Sequence, residues 1–215
     1  MMRKKPMLAY PASDKPIDYT KPVYIQPKLD GVRCLIQYER RTQPREDVVV
    51  AYSRTGKEWK NIQHILAELK PFFQKYPNVI LDGELYNHDL RDDFETIISL
   101  VRRQKPDDID MLESRDLVQF HCYDCIDIGL VDASFENRMN FITHHLLSSY
   151  CVKHVTTDRV YKHEEALDIH HNANLLNGYE GSILRTNDPY ACKRSHNLRK
   201  FKDFSDTEAT ITSWV

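Results

Sequence analysis

The stretch PKLDGVR, residues 27–33, places a lysine, an aspartate, a glycine and an arginine between two runs rich in β-branched and aromatic residues. Residues 23–26 precede it and residues 32–38 follow it, and both runs have the composition of short strands. The pattern predicts a hairpin in which Lys28 lies on the tight turn and Arg33 on the second strand. Taken alone, such a hairpin is common and needs no functional explanation.

Hydrophobic periodicity along the rest of the chain predicts a mixture of strands and helices. Further strands are predicted at residues 48–53, 79–81, 117–123, 182–185 and 198–204, and residues 206–215 alternate like a strand. Helices are predicted at residues 58–73, 94–101, 135–147 and 163–176. Ser134 fits the N-cap of the third helix, and Asn177 with Gly178 would end the fourth. Residues 1–21 are rich in proline and predict an extended lead-in.

Length and composition indicate one globular core, since the chain has 215 residues and is 41% hydrophobic. No apolar run is long enough to cross a bilayer, and the first residues carry no apolar signal core. We therefore expect a soluble, cytoplasmic monomer with no membrane partner. Five cysteines in apolar or strand-like surroundings suit a reducing compartment, and the single CxxC, Cys122 and Cys125, predicts buried thiols rather than a zinc site.

The net charge gives no general attraction to nucleic acid, because 30 basic and 32 acidic side chains leave a formal charge of −2. A nucleic-acid partner would need a local basic face. Basic residues do cluster at 40–45 and 193–202, although a solvated charged surface is the commoner role of such runs.

Polar clusters recur at the ends of several predicted strands, where proteins with mixed strands and helices often build their sites. These clusters are SRTG at 53–56, LDGELY at 81–86, YEGSILR at 179–185 and LRKFK at 198–202. Each has an ordinary structural explanation when it is considered singly. Their joint occurrence together with PKLDGVR favours a common site.

In this order the clusters resemble the motifs of the covalent nucleotidyltransferases, the superfamily of ATP-dependent DNA ligases, RNA ligases and mRNA capping enzymes. The matching residues are Lys28, Asp30, Gly31 and Arg33 (KxDGxR), Asp82 to Glu84 (DGE), Tyr123 and Asp124 (aromatic-Asp), Glu180, Gly181 and Arg185 (EGxxxR), and Lys200 to Lys202 (KxK). The phrases PMLA at 6–9 and SRTG at 53–56 further resemble the DNA ligase branch. That branch often has a glutamate two residues before the lysine, where this chain has Gln26.

The resemblance implies an α+β, ATP-grasp-like nucleotidyltransferase domain of antiparallel sheets flanked by helices, which we expect at residues 1–205. The family's C-terminal OB-fold is expected to be absent or truncated, with residues 206–215 as a linker or its first strand. Little chain precedes PMLA, so no additional N-terminal DNA-binding domain is expected, as in minimal viral or bacterial ligases. A domain without the OB-fold is expected to charge itself with AMP weakly and to seal poorly.

The resemblance also implies that the amine of Lys28 attacks the α-phosphorus of ATP. An amine must be neutral to attack, and a free lysine is protonated in all but roughly one part in a thousand near neutral pH. Burial and nearby cations favour the neutral form, and Lys200, Lys202 and a bound Mg²⁺ are the candidates. The same cations could neutralise the α-phosphate as pyrophosphate leaves.

The remaining site residues have roles that follow from the resemblance. Glu180 is implied as the Mg²⁺ ligand, and Asp30 as a further catalytic or orienting carboxylate. Arg33 and Glu84 are implied to contact the ribose of ATP, Tyr123 to stack on adenine, and Arg54 to hold the 5′-phosphate of a nick.

The sequence thus predicts the adenylation domain of an ATP-dependent DNA ligase, with ATP and Mg²⁺ as cofactors and nicked double-stranded DNA as partner. Two alternatives stay open. One is an RNA ligase or a capping guanylyltransferase, which base choice would distinguish. The other is a non-catalytic relative that binds nucleotide or nucleic acid.

Overall fold

The computed structural model describes residues 4–42, 45–160 and 164–202. These residues contain ten strands and five helices. The strands β1 to β10 are Leu8–Pro11, Val23–Lys28, Val32–Thr42, Arg45–Tyr52, Ile80–Tyr86, Gln119–Ile126, Val152–His154, Asp158–Val160, Gly181–Thr186 and Arg194–Phe201. The helices α1 to α5 are Gln63–Lys75, Phe94–Arg102, Asp108–Leu117, Phe135–His145 and Glu164–Leu176, and short 3-10 helices cover Ala12–Asp14 and His88–Leu90. The strand predicted at residues 206–215 lies outside the described residues.

The strands form two five-stranded sheets, in the order β1-β10-β9-β2-β8 for the first sheet and β4-β3-β5-β6-β7 for the second. Most neighbouring strands are antiparallel, as predicted. Each sheet nevertheless has one parallel pair at an edge, β1 with β10 and β6 with β7. Parallel neighbours cannot be joined by a tight turn, and indeed α4 intervenes between β6 and β7. The fold class is α+β, with mixed rather than purely antiparallel sheets.

PKLDGVR joins these two sheets, so the predicted hairpin is wrong although both of its strands exist. β2 pairs with β8 and β9, whereas β3 pairs with β4 and β5. Gly31 lies at the crossing, where a Cβ atom would come within 2.5 Å of the carbonyl oxygen of Leu85. Only glycine fits this close approach. The crossing brings Lys28, the last residue of β2 in the first sheet, near Arg33, the second residue of β3 in the second sheet.

Among the described residues, three clusters of buried apolar side chains stabilise the sheets, and helices contribute to the two larger ones. In the larger core, apolar residues of α1, α2 and α4 pack against the second sheet, and they include the fully buried Ile65, Phe73 and Ile142. A smaller core packs α5 against the first sheet through Leu167 and Leu184. Each fully buried side chain of this kind contributes about 1.5–3 kcal/mol. Each sheet is therefore packed against at least one helix.

Helix α3 is the main element that the sequence pattern does not predict. Its apolar residues Ile109 and Leu112 are exposed, while Asp110 and Ser114 face the protein interior and are buried. The hydrophobic period that would indicate a helix is therefore inverted. A capping box between Asp107 and Asp110 starts this helix. Strands β7 and β8 are also missed, because three residues are too few to show a pattern.

The other element boundaries differ from the predicted ones by a few residues. Helix α1 begins later than predicted because Glu58 bridges to Tyr52 and the amide of Trp59 donates to the carbonyl oxygen of Ala51 at 2.9 Å. The predicted lead-in contains β1. The CxxC thiols are buried, as predicted, whereas Cys192 is exposed. Among the described residues, no helix has both the length and the apolar character needed to span a bilayer.

Candidate active site

A cavity of about 300 Å³ opens where the two sheets meet at PKLDGVR. Strands from both sheets line it. Six of the residues to which the resemblance assigned a role lie in its wall: Lys28, Arg33, Arg54, Glu84, Tyr123 and Lys200. Strand pairing explains the convergence, because Arg33 lies opposite Glu84 on β5 and Lys28 lies opposite Gly181 on β9.

At one side of the cavity, two lysines contact one carboxylate, although Lys28 alone of these three residues lines the cavity. Glu180 immediately precedes Gly181, whose φ of 150° favours glycine. The ammonium group of Lys28 donates to Glu180 Oε2, and Lys202 Nζ donates to Oε1 at 3.3 Å. Burial opposes a charge on Glu180, but the two ammonium groups outweigh it and lower the pKa of the carboxyl. Glu180 is therefore an anion that links the end of β2 to the end of β10.

The opposite wall is organised by Arg33. Its Nε and Nη2 atoms donate to the two carboxylate oxygens of Asp82 at 2.6 and 2.5 Å, and Asp82 is fully buried. Burial disfavours the charge on Arg33, but Asp82 outweighs it and raises the pKa of the guanidinium. The centre of the guanidinium lies 5.1 Å from the ring centroid of Tyr123. Arg33 thus remains a cation with a fixed orientation beside an aromatic ring.

Glu84 and Tyr123 complete this wall. The hydroxyl of Tyr123 donates to Glu84 Oε2 at 3.1 Å. Burial raises the pKa of Tyr123, so the phenol stays a hydrogen-bond donor. Burial also raises the pKa of Glu84 to about 7, although Arg33 and Tyr123 oppose the shift. Glu84 can therefore hold or release a proton near neutral pH.

A buried polar layer lies behind Tyr123. The amide nitrogen of Gln26 donates to the carbonyl oxygen of Tyr123 at 3.1 Å and to the hydroxyl of Thr157 at 2.8 Å. Its oxygen accepts from Arg185 Nε at 2.8 Å, and Arg185 Nη1 also donates to Asp124 at 2.6 Å. At the position where the DNA ligase branch often has glutamate, Gln26 therefore uses both atoms of its amide group: the nitrogen donates and the oxygen accepts.

Two of the predicted site residues occupy less enclosed positions. Asp30 is exposed and is not part of the cavity wall. Arg54 lines the cavity but is exposed on the turn after β4, where Gly56 has a φ of 91°. In residues 4–42, 45–160 and 164–202, no group of three or more histidine, cysteine, aspartate or glutamate side chains could hold a metal ion.

Sequence reasoning missed two residues of this region. Arg194 lines the cavity and donates to the carbonyl oxygen of Ala9, but in the sequence it is one of many charges in the basic run at 193–202. Tyr190 donates to Asp82 at 2.6 Å from a loop that carries no motif. A close inspection of the basic run could have found Arg194, whereas nothing in the pattern points to Tyr190.

The raised pKa of Glu84 predicts a pH-dependent stability. An unfolded glutamate titrates near pH 4.3, so between about pH 4.3 and pH 7 the folded state binds more protons than the unfolded state. The free energy of unfolding of the wild type should therefore fall, relative to that of Glu84→Gln, as the pH rises through this window. We expect a relative loss of about 2 kcal/mol, measured by urea unfolding at pH 5 and pH 8.

Glutamine is a suitable replacement because its side-chain oxygen can still accept from Tyr123. Other titrating groups contribute equally to both proteins and cancel in the difference. A gap between the two unfolding free energies that stays constant from pH 5 to pH 8 would show that Glu84 titrates as an ordinary exposed carboxyl.

Comparisons with known proteins identify the family and the fold. The family model described as the ATP dependent DNA ligase domain matches residues 6–202. A DNA ligase of African swine fever virus is 26% identical over 207 residues, which cover 92% of this chain and 45% of that protein. The chain spans about half the length of the curated relatives it matches.

Solved structures share the fold. The structure named Pmar-Lig_PreS3 superposes with a TM-score of 0.73 at 22% identity, covering 93% of this chain and 46% of that one. A Chlorella virus DNA ligase-adenylate superposes with a TM-score of 0.63 at 21% identity, covering 93% and 67%. The predicted nucleotidyltransferase fold is thereby confirmed. With the family match over residues 6–202, these findings show that the chain belongs to the family of ATP-dependent DNA ligase domains.

Proposed function

We propose that this chain is the adenylation domain of an ATP-dependent DNA ligase. In the proposed reaction, Lys28 takes AMP from ATP, AMP passes to the 5′-phosphate at a nick in double-stranded DNA, and the neighbouring 3′-hydroxyl displaces AMP to close the strand. The observation that carries the proposal is the convergence of Lys28, Glu180 and Lys202 beside a cavity whose other wall holds Arg33 and Tyr123. Sealing itself belongs to the whole protein, of which this chain matches a part.

The first step forms a bond between Lys28 Nζ and the α-phosphorus and breaks the bond from that phosphorus to pyrophosphate. The ammonium group must first give up a proton, and the carboxylate of Glu180 that it contacts is the acceptor in the proposed step. Lys200, in the cavity wall, and Lys202, on the far oxygen of Glu180, supply positive charge close to the reacting amine. These charges stabilise the anionic transition state.

Glu180 also fits the expected Mg²⁺. This ion binds proteins through one or two carboxylates and completes its octahedron with water and substrate phosphates, so a large acidic cluster is not required. When bound, Mg²⁺ would add positive charge at the phosphates of ATP. Glu180 is the anion beside the nucleophile among the residues that line or adjoin the cavity, and we propose it as the protein ligand.

The opposite wall suits the nucleoside. We propose that adenine stacks on the ring of Tyr123, where stacking contributes on the order of 1–3 kcal/mol. Arg33 and Glu84 are both polar groups of the same wall, and we propose that they bind the ribose hydroxyls. Asp30, exposed next to Gly31, is proposed as an orienting carboxylate at the mouth of the site.

Transfer of label from α-labelled ATP or GTP to the protein tests the proposal. With Mg²⁺ present, we expect acid-labile labelling by ATP and little by GTP. Labelling by GTP instead would support a capping-type guanylyltransferase. Binding of ATP without covalent label would mean that the family's OB-fold domain is required for this step, or that the protein is a non-catalytic relative. We also propose that the protein is a cytoplasmic monomer, and the labelling experiment does not test this.

The nicked duplex should bind along a basic face that includes Arg54 and residues 193–202. Because each neutralised phosphate releases counterions, we expect binding to weaken with added salt. Replacing Arg54 by alanine should weaken binding to a nick with a 5′-phosphate by about tenfold and reduce the salt slope by about one. Fluorescence anisotropy at several salt concentrations measures both quantities.

Arg102→Ala is the matched control, because Arg102 is an exposed arginine on α2 that does not line the cavity. It removes the same charge and should leave binding within about twofold. Equal losses in the two variants, or binding that does not depend on salt, would contradict a localised basic face.

A further inference from the structure

The hydroxyl of Tyr190 closes a hydrogen-bonded ring that joins the two sheets. It donates to Asp82 Oδ2 at 2.6 Å and accepts from the backbone amide of Met7 at 2.7 Å. Arg33 Nη2 completes the ring, since it donates to Asp82 Oδ2 at 2.5 Å and to the carbonyl oxygen of Met7 at 3.2 Å. We propose that Tyr190 is a positioning residue for ATP, which acts through Asp82 to hold Arg33 in the orientation that binds the ribose. This inference rests on the proposed function.

The geometry explains why Arg33 and Asp82 need a third partner. They lie on the neighbouring strands β3 and β5 of the second sheet, so their mutual hydrogen bonds do not fix them relative to the first sheet. Tyr190 comes from the loop between β9 and β10, two strands of the first sheet. Its hydroxyl therefore adds a second tie, beside the bond from Arg33 to Met7, between the pair and the sheet that carries Lys28.

The charge of Asp82 makes the contact strong. Asp82 is fully buried, and a buried carboxylate is stable only when its oxygens are hydrogen-bonded. Oδ2 accepts from both Arg33 and Tyr190. Without the phenol hydroxyl, Oδ2 accepts from Arg33 but no longer from Tyr190. The carboxylate can then turn toward Arg33 and draw the guanidinium out of the cavity wall.

Tyr190 is itself held firmly. Its ring packs against Leu35, Ile80 and Ile126, and the guanidinium of Arg138 lies 5.6 Å from the ring centroid. Burial and the neighbouring Asp82 raise the pKa of Tyr190, so that the hydroxyl keeps the proton it donates. A ring held by these contacts can transmit the position of the loop to Asp82.

The test compares Tyr190→Phe with the wild type in equilibrium binding of ATP and of 2′-deoxy-ATP. Calorimetry in the presence of EDTA prevents the covalent step, so binding is measured without chemistry. We expect the dissociation constant for ATP to rise about fivefold or more, and that for 2′-deoxy-ATP to rise less. Preference for the ribose should therefore shrink, which a loss of stability alone would not produce.

Tyr52→Phe is the matched control. Its hydroxyl also donates to a carboxylate, that of Glu39, at 3.0 Å, but neither residue lines the cavity. We expect unchanged affinities for both nucleotides. Thermal unfolding of each variant confirms that it is folded at the temperature of the titration.

Two results would overturn the inference: unchanged ATP binding in Tyr190→Phe, or equal weakening of ATP and 2′-deoxy-ATP. Failure of the proposed function looks different. In that case the wild type binds ATP but takes no covalent label with Mg²⁺, while the comparison between the two tyrosine variants still decides the role of Tyr190.

Discussion

Replacing Lys28 by alanine is expected to abolish the transfer of AMP from ATP to the protein, with a loss of at least about a thousandfold. The reason is chemical rather than structural, because the AMP is bonded to the amine itself. Lys28 combines a place in the cavity wall with a direct contact to Glu180. The measurement is labelling with α-labelled ATP and Mg²⁺, followed by denaturing electrophoresis.

Lys28→Arg is the sharper variant. Arginine keeps the positive charge and can still pair with Glu180, but a guanidinium stays protonated and cannot act as a nucleophile. Both variants should therefore lose labelling, and Lys28→Arg should do so with its stability nearly unchanged. Lys75→Ala, at an exposed lysine on α1, should label like the wild type. Residual labelling in both Lys28 variants would move the acceptor to another amine, with Lys200 and Lys202 as the first to examine.

Local pattern predicted most strands and helices but not how the strands pair. A run of alternating residues, a turn and another run predicts a hairpin, and the two strands around PKLDGVR satisfy this description. Their real partners are far away in the sequence: Lys28 lies opposite Gly181, and Arg33 lies opposite Glu84. Pairing at this range depends on the packing of the helices on each sheet. Such packing leaves no trace in a window of ten residues.

The site was predicted by a different route. Lys28, Arg33 and Glu84 stand in short motifs whose order resembles one superfamily, and the structure brings them to one cavity. Residues that hydrogen-bond to the partners of these groups, such as Tyr190 with Asp82, belong to no motif. Tyr190 is 108 positions from Asp82, and a single tyrosine in a loop has many possible roles. Its contact becomes visible only once the loop between β9 and β10 is folded over the second sheet.

Replacing Asp124 by alanine is expected to cause the largest loss of stability, about 3–5 kcal/mol, with a fall in melting temperature of roughly 10 °C. Asp124 is fully buried between Arg138 and Arg185, each of which is 3% exposed. Arg138 Nε donates to it at 2.7 Å and Arg185 Nη1 at 2.6 Å. Without the carboxylate, two guanidinium groups stay buried near each other with no opposite charge. Calorimetry or circular dichroism during heating measures the change.

Asp47→Ala is the matched control, because it removes the same side chain from an ion pair with Arg40 whose partners are 51% and 77% exposed. That change should cost less than about 1 kcal/mol.

The cluster around Asp124 also predicts an order of effects. Two cations share one anion here, so the loss of Arg138 leaves a balanced pair of Asp124 and Arg185. Arg138→Gln should therefore destabilise the protein less than Asp124→Ala. It does remove the donor that Arg138 Nη1 provides to two backbone carbonyl oxygens. If instead Arg138→Gln were the more damaging variant, hydrogen bonds to those carbonyls rather than charge balance would hold the layer behind Tyr123 together.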